Sequence, residues 1–215
     1  MDKYIFLFGG GSPFTNKFAK KFVELSKGGT IAILFLDGGE PIIPRYTDLL
    51  EENHHHNFSY IPLPSTPVEQ AIEQINQSKG IIICGGDSIR YAENIVDTPI
   101  SEAVRGAYLM GKPIAGFSAG ALISPEVCVI SARDSGRREY YKRAGLGLLR
   151  DTMLAVHFTQ WNEEAHLRKI TSDIPTTYNY GIDENTGLYF KNDSLQEIEG
   201  GGVYSINKRS LIQID

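Results

Sequence analysis

Cysteine is nearly missing: Cys84 and Cys128 are the two in 215 residues, and each sits inside an apolar, strand-like run. Thiols so few and so placed exclude a disulfide framework and point to a reducing cytoplasm. Long hydrophobic runs are missing too. The opening segment MDKYIFLFGGGSP carries five apolar residues in a row, Tyr4 to Phe8. That is too short for a signal-peptide core or a membrane span, and it is read as a first strand. An excess of positive charge is also absent. The net charge of −5 argues against non-specific nucleic-acid binding, which needs a basic face. There is no linker, repeat or low-complexity tract. With 41% apolar and 22% charged residues, the expectation is one domain, 1–215, large enough to bury a core without staples.

What is present is an alternation. Continuous apolar runs at Tyr4–Phe8, Thr30–Leu36, Gly80–Cys84 and Pro113–Phe117 each end at glycine or another turn residue. Such runs suit parallel strands covered on both faces. Helical patterns lie between them. Thr66-Pro67-Val68-Glu69 reads as a capping box, followed by a stripe of Val68, Ala71, Ile72 and Ile75 that stops at Gly80. A second helix starts near Thr98-Pro99 and carries Ile100, Ala103, Val104 and Ala107. Strand and helix in this rhythm predict an α/β, doubly wound, mainly parallel sheet flanked by helices. Beyond about residue 176 the pattern changes to short β-runs, Leu188–Phe190, Val203–Ile206 and Leu211–Ile214. These predict a short C-terminal antiparallel β extension.

Gly116-Phe117-Ser118-Ala119-Gly120 has the spacing G-x-S-x-G. Pro113–Phe117 reads as a strand and Ala119–Ile123 as the start of a helix, so Ser118 falls on the strand-to-helix turn where a nucleophile elbow exposes its hydroxyl. The following helix adds the positive end of its dipole, and the Ala119 N–H can face a developing oxyanion. A serine N-cap is the structural alternative. The turn Cys84-Gly85-Gly86-Asp87 offers a second set of unhindered N–H groups. Cys84 itself is read as a buried small hydrophobe, since no base accompanies it.

A serine nucleophile needs a base. His54, His55 and His56 lie in a polar loop, where no further ligand completes a metal site, and are read as solvated. His166 belongs to what resembles a capped surface helix. His157 ends the apolar run Met153–Val156, where a strand delivers it to the carboxyl edge of the sheet, the edge at which open α/β sheets collect catalytic groups. The acid that would orient it is open among Asp183, Glu184, Asp134 and Glu139 on order alone.

Five motifs in order carry a resemblance. They are Gly85-Gly86-Asp87, Gly116–Ala121, Gly145-Leu146-Gly147-Leu148-Leu149, His157-Phe158, and Gly181-Ile182-Asp183-Glu184-Asn185-Thr186. Together they are similar to the dipeptidase E and cyanophycinase family of serine peptidases, over nearly the whole chain. The resemblance implies a flavodoxin-like, class I glutamine amidotransferase-like fold with serine at the elbow. It implies Ser118 as nucleophile, His157 as base, and Gly86 and Ala119 amides as the oxyanion hole. In cyanophycinase-like members the acid is the glutamate of the Gly-Ile-Asp-Glu motif, here Glu184; dipeptidase E places an aspartate earlier, near Asp134. One departure concerns substrate. Cyanophycinase-like members carry arginines soon after the histidine, whereas here the first is Arg168.

The expectation is a cytoplasmic serine hydrolase that cleaves a peptide or isopeptide bond in a small peptide substrate, with no metal or organic cofactor and no nucleic-acid or membrane partner. Arg137 and Arg138, in the charged loop after Ser131, and Asp87 beside the glycine turn are candidate substrate contacts; the arginines would hold an acidic group or a carboxylate. Two other readings stay open: an esterase or thioesterase on the same triad, and a non-enzymatic binding protein on the peptidase scaffold. Oligomeric state, monomer or homodimer, is left open by the sequence.

Overall fold

Four of the apolar runs become neighbouring strands of one sheet. The computed structural model describes residues 1–11 and 13–214. In chain order, β1 (Tyr4–Phe8) leads to α1 (Asn16–Leu25), β2 (Ile31–Leu36), α2 (Pro44–Glu52) and β3 (Phe58–Leu63). Then come α3 (Val68–Gln77), β4 (Gly80–Ile83), the single turn α4 (Ser88–Tyr91), α5 (Ile100–Leu109) and β5 (Ile114–Phe117). The strands β1, β5, β4, β2 and β3 lie side by side in that order, all parallel. Every residue of β2, β4 and β5 is buried, which is why these strands read as unbroken hydrophobic runs. Among the helices, α1 packs on α2 and α3 on α5. The fold is mixed α/β, with a large, mostly parallel sheet flanked by helices.

Two expectations change at the periphery. The strand β3 escaped the apolar-run reading because it holds Pro62 and alternates in burial. It is the outer strand of the sheet, where a missing N–H costs no ladder bond. The helix α3 starts without a capping box: Pro67 occupies the cap position and no side chain accepts there. Its stripe holds, with Ala71 and Ile75 buried.

After β5 the chain runs through the single turn α6 (Ala119–Leu122), β6 (Val127–Ile130), the single turn α7 (Ala132–Ser135) and β7 (Tyr141–Ala144). There follow β8 (Thr152–Val156), α8 (Glu164–Asp173), β9 (Tyr178–Ile182), β10 (Gly187–Lys191), β11 (Ser194–Glu199), β12 (Val203–Asn207) and β13 (Ser210–Ile214). The C-terminal strands do not form an extension of their own. Instead β10 and β11 complete the main sheet, β10 antiparallel to β1. The apolar edge that β1 would otherwise leave unpaired is thereby covered. The last two strands join a second sheet of order β13-β12-β9-β8, in which β8 and β9 are parallel across the α8 crossover. His157 therefore follows a strand of this second sheet, not of the main one.

The core is aromatic below the carboxyl ends of β1 and β5. Phe8 stacks on Phe117 at 4.4 Å, and Phe14 meets both edge-on. Such pairs contribute about 0.5–1.5 kcal/mol each beyond area burial, and here they hold the floor immediately beneath Ser118. Among the described residues no helix is long and apolar enough to cross a membrane.

Candidate active site

Ser118 sits between β5 and α6 with φ 49° and ψ −106°. A non-glycine residue in that region is strained by about 1–3 kcal/mol, held only where the surroundings overdetermine it. The flanking glycines explain how. A Cβ on Gly120 would stand 2.2 Å from the Ile83 carbonyl oxygen, so the elbow can press against β4 only if that residue is glycine. The helix that follows is one turn, so the expected dipole contribution is small. Ser118 makes no side-chain cap bond; its hydroxyl donates elsewhere.

That partner is His157. Ser118 Oγ lies 2.8 Å from His157 Nε2, and His157 Nδ1 lies 2.7 Å from Glu184 Oε1. With Nδ1–H donating to the carboxylate, Nε2 is left with its lone pair toward the hydroxyl. The His157 side chain is 12% exposed and that of Glu184 33%. Trp161 lies flat on the imidazole, centroids 4.1 Å apart and 15° from parallel.

The strap leaving β1 locks these groups together. Ser118 N–H donates to Phe8 O at 3.0 Å, His157 N–H to Gly9 O at 2.9 Å and Asn185 N–H to Gly10 O at 2.9 Å. Three successive carbonyls thus fix the elbow, the histidine and the residue after Glu184. The register Val156↔Ile182 in the β8–β9 pair brings His157 and the Asp183-Glu184 turn out at one edge. Thr159 N–H donates to Asp183 Oδ1 at 2.8 Å, and Glu184 N–H to Gln160 Oε1 at 3.0 Å. Gly10 has φ 118°, and a Cβ there would stand 2.1 Å from His157 Cε1. Gly10→Ala is therefore expected to displace the imidazole and slow labelling of Ser118 by a fluorophosphonate by about 100-fold while the far-ultraviolet circular dichroism is unchanged; an unchanged labelling rate in that variant would show that the ring contact does not position His157.

A cleft of about 320 Å³ opens over the pair, lined by Ser118, His157, Tyr46, Gly85, Gly86, Asp134 and Trp161 among others. Gly85 N–H donates to the Tyr46 hydroxyl at 2.9 Å. The N–H groups of Gly86 and Ala119 have no acceptor among the described residues.

Several predicted residues bond to other partners than the Ser118–His157 pair. Asp134 does not reach His157; its Oδ2 accepts from Ser88 Oγ at 2.6 Å, because the Ser131 cap of α7 turns the carboxyl toward α4. Asp87 caps α4, its Oδ1 accepting from the Ile89 and Arg90 N–H groups at 2.9 and 3.0 Å. Arg137 lies over the Tyr141 ring at 3.9 Å. Arg138 lines a separate groove with Tyr140 and Lys169. The charged-loop arginines are thus drawn to aromatic rings and solvent, away from the cleft.

Burial also corrects the other histidines. His55 is buried, 3.1 Å from the Asn57 carbonyl through Nε2 and edge-on to Phe58. Among the described residues no group of three or more His, Cys, Asp or Glu gathers to hold a metal ion. His166 is turned inward, and burial pushes its imidazole down to about 4. The Cys84 thiol is pushed well up by burial, as befits a packing residue. Since His166 takes its proton more readily unfolded than folded, it destabilises the fold as pH falls from about 6.5 toward 4, by at most about 1.4 kcal/mol per pH unit. Asp134 and Glu163, both raised chiefly by burial, act with the opposite sign. His166→Gln is expected to flatten the acid side of the wild-type stability curve in urea unfolding between pH 4 and 6.5; parallel curves would contradict the burial argument.

Residues 8–198 match the sequence profile of peptidase family S51. The chain belongs to peptidase family S51. The match begins at Phe8, the first carbonyl of the strap, and ends at Ile198 in β11. Among similar proteins, a cyanophycinase from Geminocystis herdmanii is 30% identical over 138 residues, covering 62% of this chain and 51% of that protein. One from Synechococcus elongatus is 31% identical over 142 residues, covering 64% and 44%. The chain thus spans about half the length of the curated relatives it matches. In fold it is similar to the crystal structure of a peptidase from an acI-B1 Actinobacterium, with a TM-score of 0.72, 22% identity, and 100% of this chain and 94% of that one covered. A Listeria monocytogenes EGD-e protein superposes with a TM-score of 0.68 at 16% identity, over 93% and 98%.

Sequence reasoning missed Gly9, Gly10, Gln160, Ser88 and Trp161. For the glycines a signal existed: three consecutive glycines after a buried strand are the same sheet-edge feature as Gly85-Gly86. Nothing in one dimension marked Trp161 as the partner of an imidazole.

Proposed function

We propose that this S51 member is a serine hydrolase that cleaves a peptide or isopeptide bond in a small peptide substrate. Ser118 attacks the carbonyl while His157 takes its proton through Nε2 and returns it to the leaving amine. Glu184 holds the imidazole in the productive tautomer and stabilises the imidazolium. The amides of Gly86 and Ala119 receive the tetrahedral oxyanion. Water then repeats the sequence to release the acyl group.

The single observation that carries this reading is the unbroken line Ser118 Oγ–His157 Nε2 and His157 Nδ1–Glu184 Oε1, at 2.8 and 2.7 Å. Two further observations support it. The Gly85 amide is spent on Tyr46, leaving that of Gly86 free of an acceptor among the described residues, and the serine occupies a strained turn between β5 and α6 with φ 49°. The unpaired, buried thiols of Cys84 and Cys128 favour a cytoplasmic setting.

The test is a fluorophosphonate probe followed by a panel of dipeptides, isopeptides and acyl esters. Covalent labelling at Ser118 with turnover of amides supports a peptidase. Turnover of esters alone would make the protein an esterase, and the absence of both labelling and turnover would make it a binding protein.

A further inference from the structure

Asp134, expelled from the triad, still faces the same cleft as Ser118 and His157. Among the described residues lining that cleft, it is the one carboxylate, and no lysine or arginine lines it. The carboxyl group is anchored: Ser88 Oγ donates to Oδ2 at 2.6 Å, and the Asp134 N–H donates to Ser131 Oγ at 3.2 Å. Its Oδ1 has no hydrogen-bond partner among the described residues, and Asp134 joins no ion pair there. The neighbouring cations are committed elsewhere, Arg133 to the Trp161 carbonyl at 3.2 Å and Arg137 to the Tyr141 ring.

A carboxylate drawn partly out of water without a cation is uncompensated. Burial indeed pushes the Asp134 carboxyl up; the Ser88 bond and His157 oppose this, while the nearby charge of Asp87 adds to it. A cation entering the cleft would meet a fixed acceptor with one oxygen unused, in the space that Ser118 also lines. We propose that Asp134 is a specificity-determining residue that binds a cationic group of the substrate, a primary ammonium or a guanidinium, next to the scissile carbonyl. This names a substrate class for the hydrolase proposed above and rests on that reading. It reverses the sign of the substrate expected from Arg137 and Arg138. Two sources share the chemistry: the α-ammonium of a free N-terminal residue and a lysine or arginine side chain.

Four chromogenic amides separate the sources: alanine p-nitroanilide, its N-acetyl form, and N-acetyl-lysine and N-acetyl-norleucine p-nitroanilides. Wild-type protein is expected to favour the cationic member of one pair by about 10- to 100-fold in kcat/KM, mostly through KM, the range of a charge-assisted hydrogen bond. Preference within the alanine pair assigns the α-ammonium; preference within the lysine–norleucine pair assigns the side chain. Asp134→Asn is expected to shrink the ratio below about threefold and Asp134→Glu to restore part of it. Equal rates within both pairs, or a preference that survives Asp134→Asn, overturn the proposal. Calorimetry on Ser118→Ala, with alanyl-alanine against its N-acetyl form and N-acetyl-lysine amide against the norleucine amide, needs no turnover. Tighter binding of a cationic member without any wild-type hydrolysis would keep the subsite and reject the hydrolase reading; charge-indifferent binding would reject the subsite.

Discussion

Ser118→Ala is expected to abolish fluorophosphonate labelling and to lower hydrolysis by about five to six orders of magnitude, since a triad loses nearly all of its advantage with its nucleophile. Folding should barely register the change. The hydroxyl contributes one bond, to His157 Nε2, and the elbow is set by Gly120 against β4 and by the bond from Ser118 N–H to Phe8 O. A second variant reads the strain directly. Glycine tolerates φ 49° where alanine does not, so Ser118→Gly should melt a few degrees above Ser118→Ala, at about 2–4 °C per kcal/mol for a chain of this size. Labelling that persists in the alanine variant would move the nucleophile. Equal melting of the two variants would mean that the elbow stores no strain.

Glu184→Gln is expected to lower kcat by about two to four orders of magnitude with little change in KM, because an orienting acid acts on the transition state through the imidazole. Glutamine keeps the shape but removes the charge opposite imidazolium, and its amide can present N–H where Nδ1–H needs an acceptor. Asp134→Asn, bonded to Ser88 instead, should cost less than about tenfold in the rate of labelling by an uncharged phosphonate. The measurement is labelling rate and single-turnover acylation for both variants. The opposite ranking would place the orienting carboxylate on Asp134, and the 2.7 Å contact between Glu184 Oε1 and His157 Nδ1 would then be incidental to the chemistry.

The two carboxylates also show where sequence reading runs out. Chain order could not rank Glu184 against Asp134, because which of them meets Nδ1 depends on the β8–β9 register and on the Ser131 cap, neither of which is local in sequence. The same holds for the arginines. Arg133, Arg137 and Arg138 are adjacent to a candidate acid in the chain, yet Tyr141, Trp161 and the solvent-facing groove capture them. Proximity along a loop carries no direction.

By itself the sequence determined the parallel core and the place of Ser118 on the strand-to-helix turn. Strands buried on both faces must be continuous apolar runs, and a serine between a strand and a helix must sit on their turn, so both are written in local pattern. The tertiary structure alone decided the rest. It divided the C-terminal strands between two sheets, because the free edges of β1 and β9 each needed pairing. It brought serine from one sheet against histidine and glutamate from the other, joined by three carbonyls of a single glycine strap. It also set Asp134 at the cleft with Ser88 Oγ on its carboxylate and no ion pair among the described residues.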